Sequence, residues 1–165
     1  MAENVYLELI GQTQGAIQGE STNTSLGREG RIECVYYDNA ATAALTGRRA
    51  GTATGRVGFG PFVIRKRIDK SSPLLLRALT TNEDVRGTFR FYRPSPTGDG
   101  TTQQFYTVEF SNARLSAVRQ YVPDTMLPDT SNLPPLEEVS IAASRITWTY
   151  VDGGVSHTSD VRVNL

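Results

Sequence analysis

The chain has one cysteine, Cys34, and one histidine, His157, among its 165 residues. A single cysteine excludes an internal disulfide framework and any cysteine-cluster zinc site. A single histidine leaves no HxxxH or HxH pair for a metal. Neither charge is in excess: Lys plus Arg and Asp plus Glu are both 17. The basic balance usual in a nucleic-acid binder is therefore missing. No apolar run approaches the roughly 20 residues of a membrane span. The start, Met1-Ala-Glu-Asn-Val5, lacks the basic and apolar regions of a secretory signal. These absences predict a protein made and folded in the cytoplasm, without membrane insertion, that leaves the cell only if another apparatus exports it.

What is present reads as strand after strand. The length fits a single domain over residues 1–165, with about two-thirds of the unfolded chain's surface buried. Val5, Leu7 and Leu9 alternate with Tyr6 and Glu8. From Arg31 to Tyr37, alternation puts Ile32, Cys34 and Tyr36 on one face, which predicts a buried apolar role for the thiol. Further strands are expected over 88–93, 105–110 and 113–122, with Ser111-Asn112 as a turn. The last two, over 138–151 and 158–163, are joined by a hairpin at Asp152-Gly153-Gly154. Val139, Ile141 and Ala143 share one parity, whereas Ile146, Trp148 and Tyr150 have the other. A strand changes faces only through a bulge or sharp bend, expected near 142–145.

One helix is expected, over about 73–81, with Ser72 as N-cap, Pro73 at its first position and a stripe of Leu75, Leu76 and Leu79. Many strands and one short helix predict a mainly β, curled two-sheet, barrel-like domain. Residues 12–30 and 123–135 do not read as regular structure. Nor does the long stretch 39–60, rich in small residues and glycine, which reads as an extended loop. It is too poor in large apolar groups to build its own core. Thr42, Thr46, Arg48, Arg49, Thr52 and Thr54 within it suit pairing with another subunit, and we take these as the candidate interface residues.

The search for chemistry ends without a constellation. His157 lies beside a hairpin turn, and no GxSxG elbow accompanies it. Gly55-Arg-Val-Gly58-Phe-Gly60 lacks the Gly-Lys-Ser/Thr ending of a phosphate loop. Arg65-Lys66-Arg67 adjoins Asp69 and reads as a solvated or salt-bridged face. Glu137 and Glu138 are adjacent in a strand, so they face opposite ways and form no acid/base pair. No enzyme activity, cofactor or metal is expected.

Three segments in order carry a resemblance. They are Ile17-Gln-Gly-Glu-Ser21, then Phe62-x-Ile64-x-Lys66-x-Ile68-Asp69-Lys70-Ser-Ser-Pro73, and last Leu136-Glu-Glu-Val-Ser140 with Ile146-x-Trp148-x-Tyr150. Together they resemble the Hcp (haemolysin-coregulated protein) family, the tail-tube subunit of type VI secretion systems. Gln18 departs from the lysine usual in the first segment. Val35-Tyr-Tyr-Asp-Asn39 stands where relatives often carry an aromatic "S-F/Y-x-W-G" stretch. The resemblance implies a homohexameric ring, stacked into a hollow tube, with a VgrG-type spike, a contractile sheath and small effector proteins in the lumen as partners. It also implies cytoplasmic assembly and export through the type VI machinery, and the chain's ending at Leu165 implies no fused toxin domain. A tube protein of a phage tail or other contractile device is the alternative within that lineage. A small β-barrel hydrolase and a monomeric recognition module are the alternatives outside it.

Overall fold

The computed structural model describes residues 4–45 and 53–160. The strands are β1 (Val5–Gly11), β2 (Gly15–Ile17), β3 (Ile32–Asp38), β4 (Ala41–Leu45), β5 (Ala53–Phe59) and β6 (Phe62–Arg67). After helix α1 (Ser72–Thr80) come β7 (Val85–Pro94), β8 (Thr102–Tyr121), β9 (Leu136–Tyr150) and β10 (Val155–Asp160). Six strands close into a barrel in the order β9-β6-β3-β1-β7-β8, with β8 returning to β9. β2 adds to β1, and β10 adds to the far half of β9. The expected mainly β, barrel-like fold with one short helix is the fold observed.

Alternation produces the interior. Leu7, Leu9, Ile32, Phe62, Ile64, Phe89, Val139 and Ile141 all point inward and are buried. The rings of Phe62, Phe89 and Phe110 meet with centroids 5.2–5.5 Å apart, a spacing typical of packed aromatic groups. The helix joins this core through Leu75 and Ala78, with Leu74 and Leu79 alongside. Leu76 is half-buried and outside the cluster, because the true stripe lies one step round from the expected one. The helix is too short to persist without this packing.

Several local expectations need correction. Residues 105–110 and 113–122 are not two strands about a turn. β8 continues as one strand through Ser111 and Asn112, with Asn112 in the left-handed region at φ 50° where the register against β7 slips. The face change in β9 occurs as expected, since Ile141 and Ile146 are both buried. It is not a bulge: the β8–β9 register is the same at Phe110↔Ile146 and Ala113↔Ala143. β9 instead leaves β6 after Ile141 and takes up β10 from Arg145. In β3 the register against β6 slips between Cys34 and Tyr36. Tyr37 therefore packs on the core in place of Tyr36, which is exposed. The Asp152 hairpin is present, with Gly153 and Gly154 at φ 84° and 64°, where a β-carbon would be strained.

Candidate assembly surfaces

The stretch expected as an extended loop at 39–60 contains a two-stranded ribbon. β4 and β5 pair antiparallel, with Ala41↔Phe59, Thr42↔Gly58 and Ala43↔Val57. Gly60 N–H donates to the Ala40 carbonyl at 2.8 Å, carrying the pairing back toward β3 and β6. The arm is thus the outer part of one long hairpin, and it forms a sheet of its own. Ala41, Thr42, Ala43 and Val57 are exposed. Of the candidate interface residues, Thr42 is an exposed position on β4. Thr54 falls in β5, but its side chain lies outside the described residues, as do Thr46, Arg48, Arg49 and Thr52 altogether. A two-stranded ribbon with no core beneath it is marginal in water.

The arm is tied to the barrel at its root. Phe59 packs on the core, with its ring 5.7 Å from that of Trp148. His157 of β10 also stacks on Trp148, at 6.0 Å and 10°. His157 is therefore a strand residue against an aromatic ring, not a turn residue. Among the described residues β10 pairs with β9 alone, and Val155 to Thr158 are exposed. Sequence reasoning missed the Phe59–Trp148 contact and the start of the last strand at Val155. Phe59 between two glycines was the available signal for the first, since a lone large apolar group in such a stretch marks where it meets a core.

The three segments that carry the resemblance converge in space. Of the expected solvated or salt-bridged face, Lys66 is salt-bridged and fully buried, not solvated. Its ammonium ion pairs with Glu137 and with Asp69 at 2.9 Å, and donates to the Arg67 carbonyl at 2.9 Å. The expected N-cap role of Ser72 is also corrected: Ser71 is the N-cap, and Ser72 is the first helical residue. The Ser72 hydroxyl donates to Glu137 Oε1 at 2.8 Å and accepts from Asp69 N–H at 3.0 Å. Glu137 also accepts from Gln120 Nε2 at 3.1 Å. Glu20 of the first segment accepts from Lys70 N–H at 3.2 Å. On the outer surface, Glu138 accepts from Arg65 at 3.1 Å with Arg119 3.9 Å away. The two glutamates do face opposite ways.

This buried cluster binds helix to barrel, with its charges saturated by one another. Among the described residues no group of three His, Cys, Asp or Glu is placed to hold a metal. No described helix is long and apolar enough to cross a membrane. An open groove of about 340 Å³ runs over Gly87 between Glu8, Thr88, Glu109 and Thr147. It shares Ile10, Arg86 and Ser111 with a neighbouring groove of about 610 Å³. Ser111 lines both grooves, with Glu8 and Glu109 in one and Asp84 in the other, and neither lining contains a histidine.

The comparisons agree with this geometry. Residues 6–150 match the model of the family described as "Type VI secretion system effector, Hcp". The chain is 32% identical over 169 aligned residues to the "Major exported protein" of Pseudomonas aeruginosa, covering 98% of this chain and 97% of that one. It superposes on a crystal structure of an Hcp protein with a TM-score of 0.85 at 25% identity, covering 98% and 99% of the two chains. Hcp1 of the E. coli EAEC 042 pathovar, solved with two tryptophan substitutions, gives 0.81 at 28% identity, with coverage of 97% and 99%. A closed barrel with a projecting arm, matched over nearly its whole length, thus belongs to the Hcp family of secreted, tube-like type VI secretion proteins.

Proposed function

We propose that this chain is the structural subunit of a type VI inner tube, assembling into homohexameric rings that stack into a hollow tube. The rings form in the cytoplasm, inside a contractile sheath. Contraction expels the tube, tipped by a VgrG-type spike, with small effector proteins in its lumen. The tube needs no catalytic step of its own.

The observation that supports this reading is a pair of elements on one closed barrel, each of which pairs with a single strand among the described residues. A ring is a head-to-tail interface, so each subunit needs two different complementary surfaces. β10, paired with β9 alone among the described residues, is one such element; left open, a strand edge is an aggregation hazard. The β4–β5 arm is another, and its own packing is insufficient to hold it. Edge pairing around the ring would join the subunits' sheets into a continuous wall. Each interface should bury on the order of 800 Å² per partner. Arg48, Arg49 and Thr52 are proposed as polar contacts of the arm, with Thr42, Thr46 and Thr54 beside them.

Native mass spectrometry with negative-stain imaging tests the reading. Doughnut-shaped hexamers are expected at tens of micromolar. A strict monomer at that concentration would overturn the tube assignment.

A further inference from the structure

We propose that the loop joining β8 to β9, residues 123–135, is the seat for the β4–β5 arm of a second copy in the adjacent ring. This rests on the stacked-ring reading above and names the surface that receives the arm.

The loop holds its own shape. Met126 N–H donates to Asp124 Oδ1 at 2.8 Å, Thr130 N–H to the Leu127 carbonyl at 3.2 Å, and Leu133 N–H to the Thr130 carbonyl at 3.1 Å. The Thr130 hydroxyl also donates to the Asp124 carbonyl. Its large apolar side chains take no part in this. Met126 is 88% exposed and Leu127 53%, with Val122 and Leu133 exposed at the loop's ends. Ile68 adds a further exposed apolar group, and its N–H donates to the Pro135 carbonyl at 3.3 Å. Four large apolar side chains exposed within twelve residues of a loop that holds its own shape are unfavourable in water and point to an interaction surface.

Position and charge select the occupant. β6 begins at Phe62, beside the arm, and ends at Arg67, which pairs with Leu136 where the loop ends. Arm and loop therefore sit at opposite ends of the same strands. Shifting one copy along that direction brings its arm to the loop of the next, a head-to-tail contact that repeats without closing, as a filament requires. Residues 39–60 contain Arg48, Arg49 and Arg56 and no acidic residue; residues 123–135 contain Asp124 and Asp129 and no basic one. Exposed Ala41, Ala43 and Val57 supply apolar surface to meet Met126 and Leu127.

The test uses the full chain with two new cysteines, Val57→Cys and Met126→Cys. Cys34 does not compete, because it is buried and its thiol is pushed up to about 12 by that burial. Under mild oxidation the double variant is expected to give disulfide ladders longer than six subunits, and neither single variant should. Separately, Met126→Asp with Leu127→Asp should leave hexamers intact but raise the concentration needed for stacking by about tenfold or more, a loss of about 1.4 kcal/mol. Asp129→Arg should weaken stacking less, and the difference should vanish at high salt. Hexamers with no cross-ring ladder would overturn this assignment, as would cross-links confined within a ring or a loop variant that stacks normally. Absence of hexamers in the unmodified chain would instead overturn the stacked-ring reading itself.

Discussion

Lys66 and Glu137 lie directly opposite each other on β6 and β9 and form an ion pair with both residues fully buried. Removing both from water is costly, and the attraction offsets that cost only when remaining donors and acceptors are satisfied. Here Asp69, Ser72, Gln120 and the Arg67 carbonyl satisfy them. Lys66→Met is therefore expected to destabilise the fold by about 3–5 kcal/mol, because Glu137 is left charged in the interior. Lys66→Met with Glu137→Leu should recover much of that loss, and urea titration of both variants checks the difference. Equal losses in the single and double variants would mean that packing, not charge, dominates this site.

Gly19 shows why the first family segment has glycine at its centre. A β-carbon there would sit 2.6 Å from the Arg31 carbonyl oxygen and 2.8 Å from the Ile32 α-carbon. Both are backbone atoms, so neither side can yield by turning a rotamer. The close approach lets Gly19 N–H reach the Gly30 carbonyl at 3.0 Å and holds Glu20 beside Lys70. Gly19→Ala is expected to cost about 1–3 kcal/mol as overpacking, read as a lowered Tm with unchanged circular dichroism below the transition. A neutral result would show that this segment moves aside freely.

Strand alternation made most of the barrel legible, because a period of two survives wherever one face is buried. Ile32 and Cys34 were readable for that reason, and so was the change of face between Ile141 and Ile146. Tyr36 was misread because a register slip after Cys34 leaves no trace in composition. The paired strands β4 and β5 were hidden for the opposite reason: alanine, threonine and glycine show no apolar period when neither face meets a core. Lys66 looked like surface because its partner Glu137 lies 71 positions away in the chain. Ser72 looked like a cap because serine before proline usually is one, whereas here its hydroxyl serves that distant glutamate.

Glu83 predicts an acid-sensitive step. It is buried, and burial alone would raise its pKa. The hydrogen bonds it accepts from the Gln14 side chain and from the backbone N–H groups of Gln14 and Thr13 outweigh burial and hold it below the usual carboxylate range. A carboxylate whose folded pKa is lowered contributes stability above its unfolded value of about 4.3. That contribution is lost as pH falls from there through the lower folded pKa. Glu83→Gln should therefore cost roughly 1–3 kcal/mol at neutral pH and progressively less below about pH 4.3. Denaturant midpoints measured from pH 7 to pH 3 check this. A penalty independent of pH would assign the loss to shape alone.

Trp148 is the single tryptophan of the chain, so its emission reports on the root of the arm without interference. It is partly buried and contacts both Phe59, at the root of the arm, and the stacked ring of His157. Phe59→Ala removes one wall of that site, forfeiting about 0.5–1.5 kcal/mol of ring contact beyond the lost apolar area. The emission maximum is expected to shift to the red as water reaches the indole. The barrel's other aromatic contacts, Phe62 to Phe89 and Phe110, lie elsewhere and should hold the fold cooperative. Because the ribbon is tethered at this root, the same variant should stack poorly while still forming rings. Unchanged emission together with normal stacking would show that the arm is held by its distal contacts and that Phe59 is only a filler at its base.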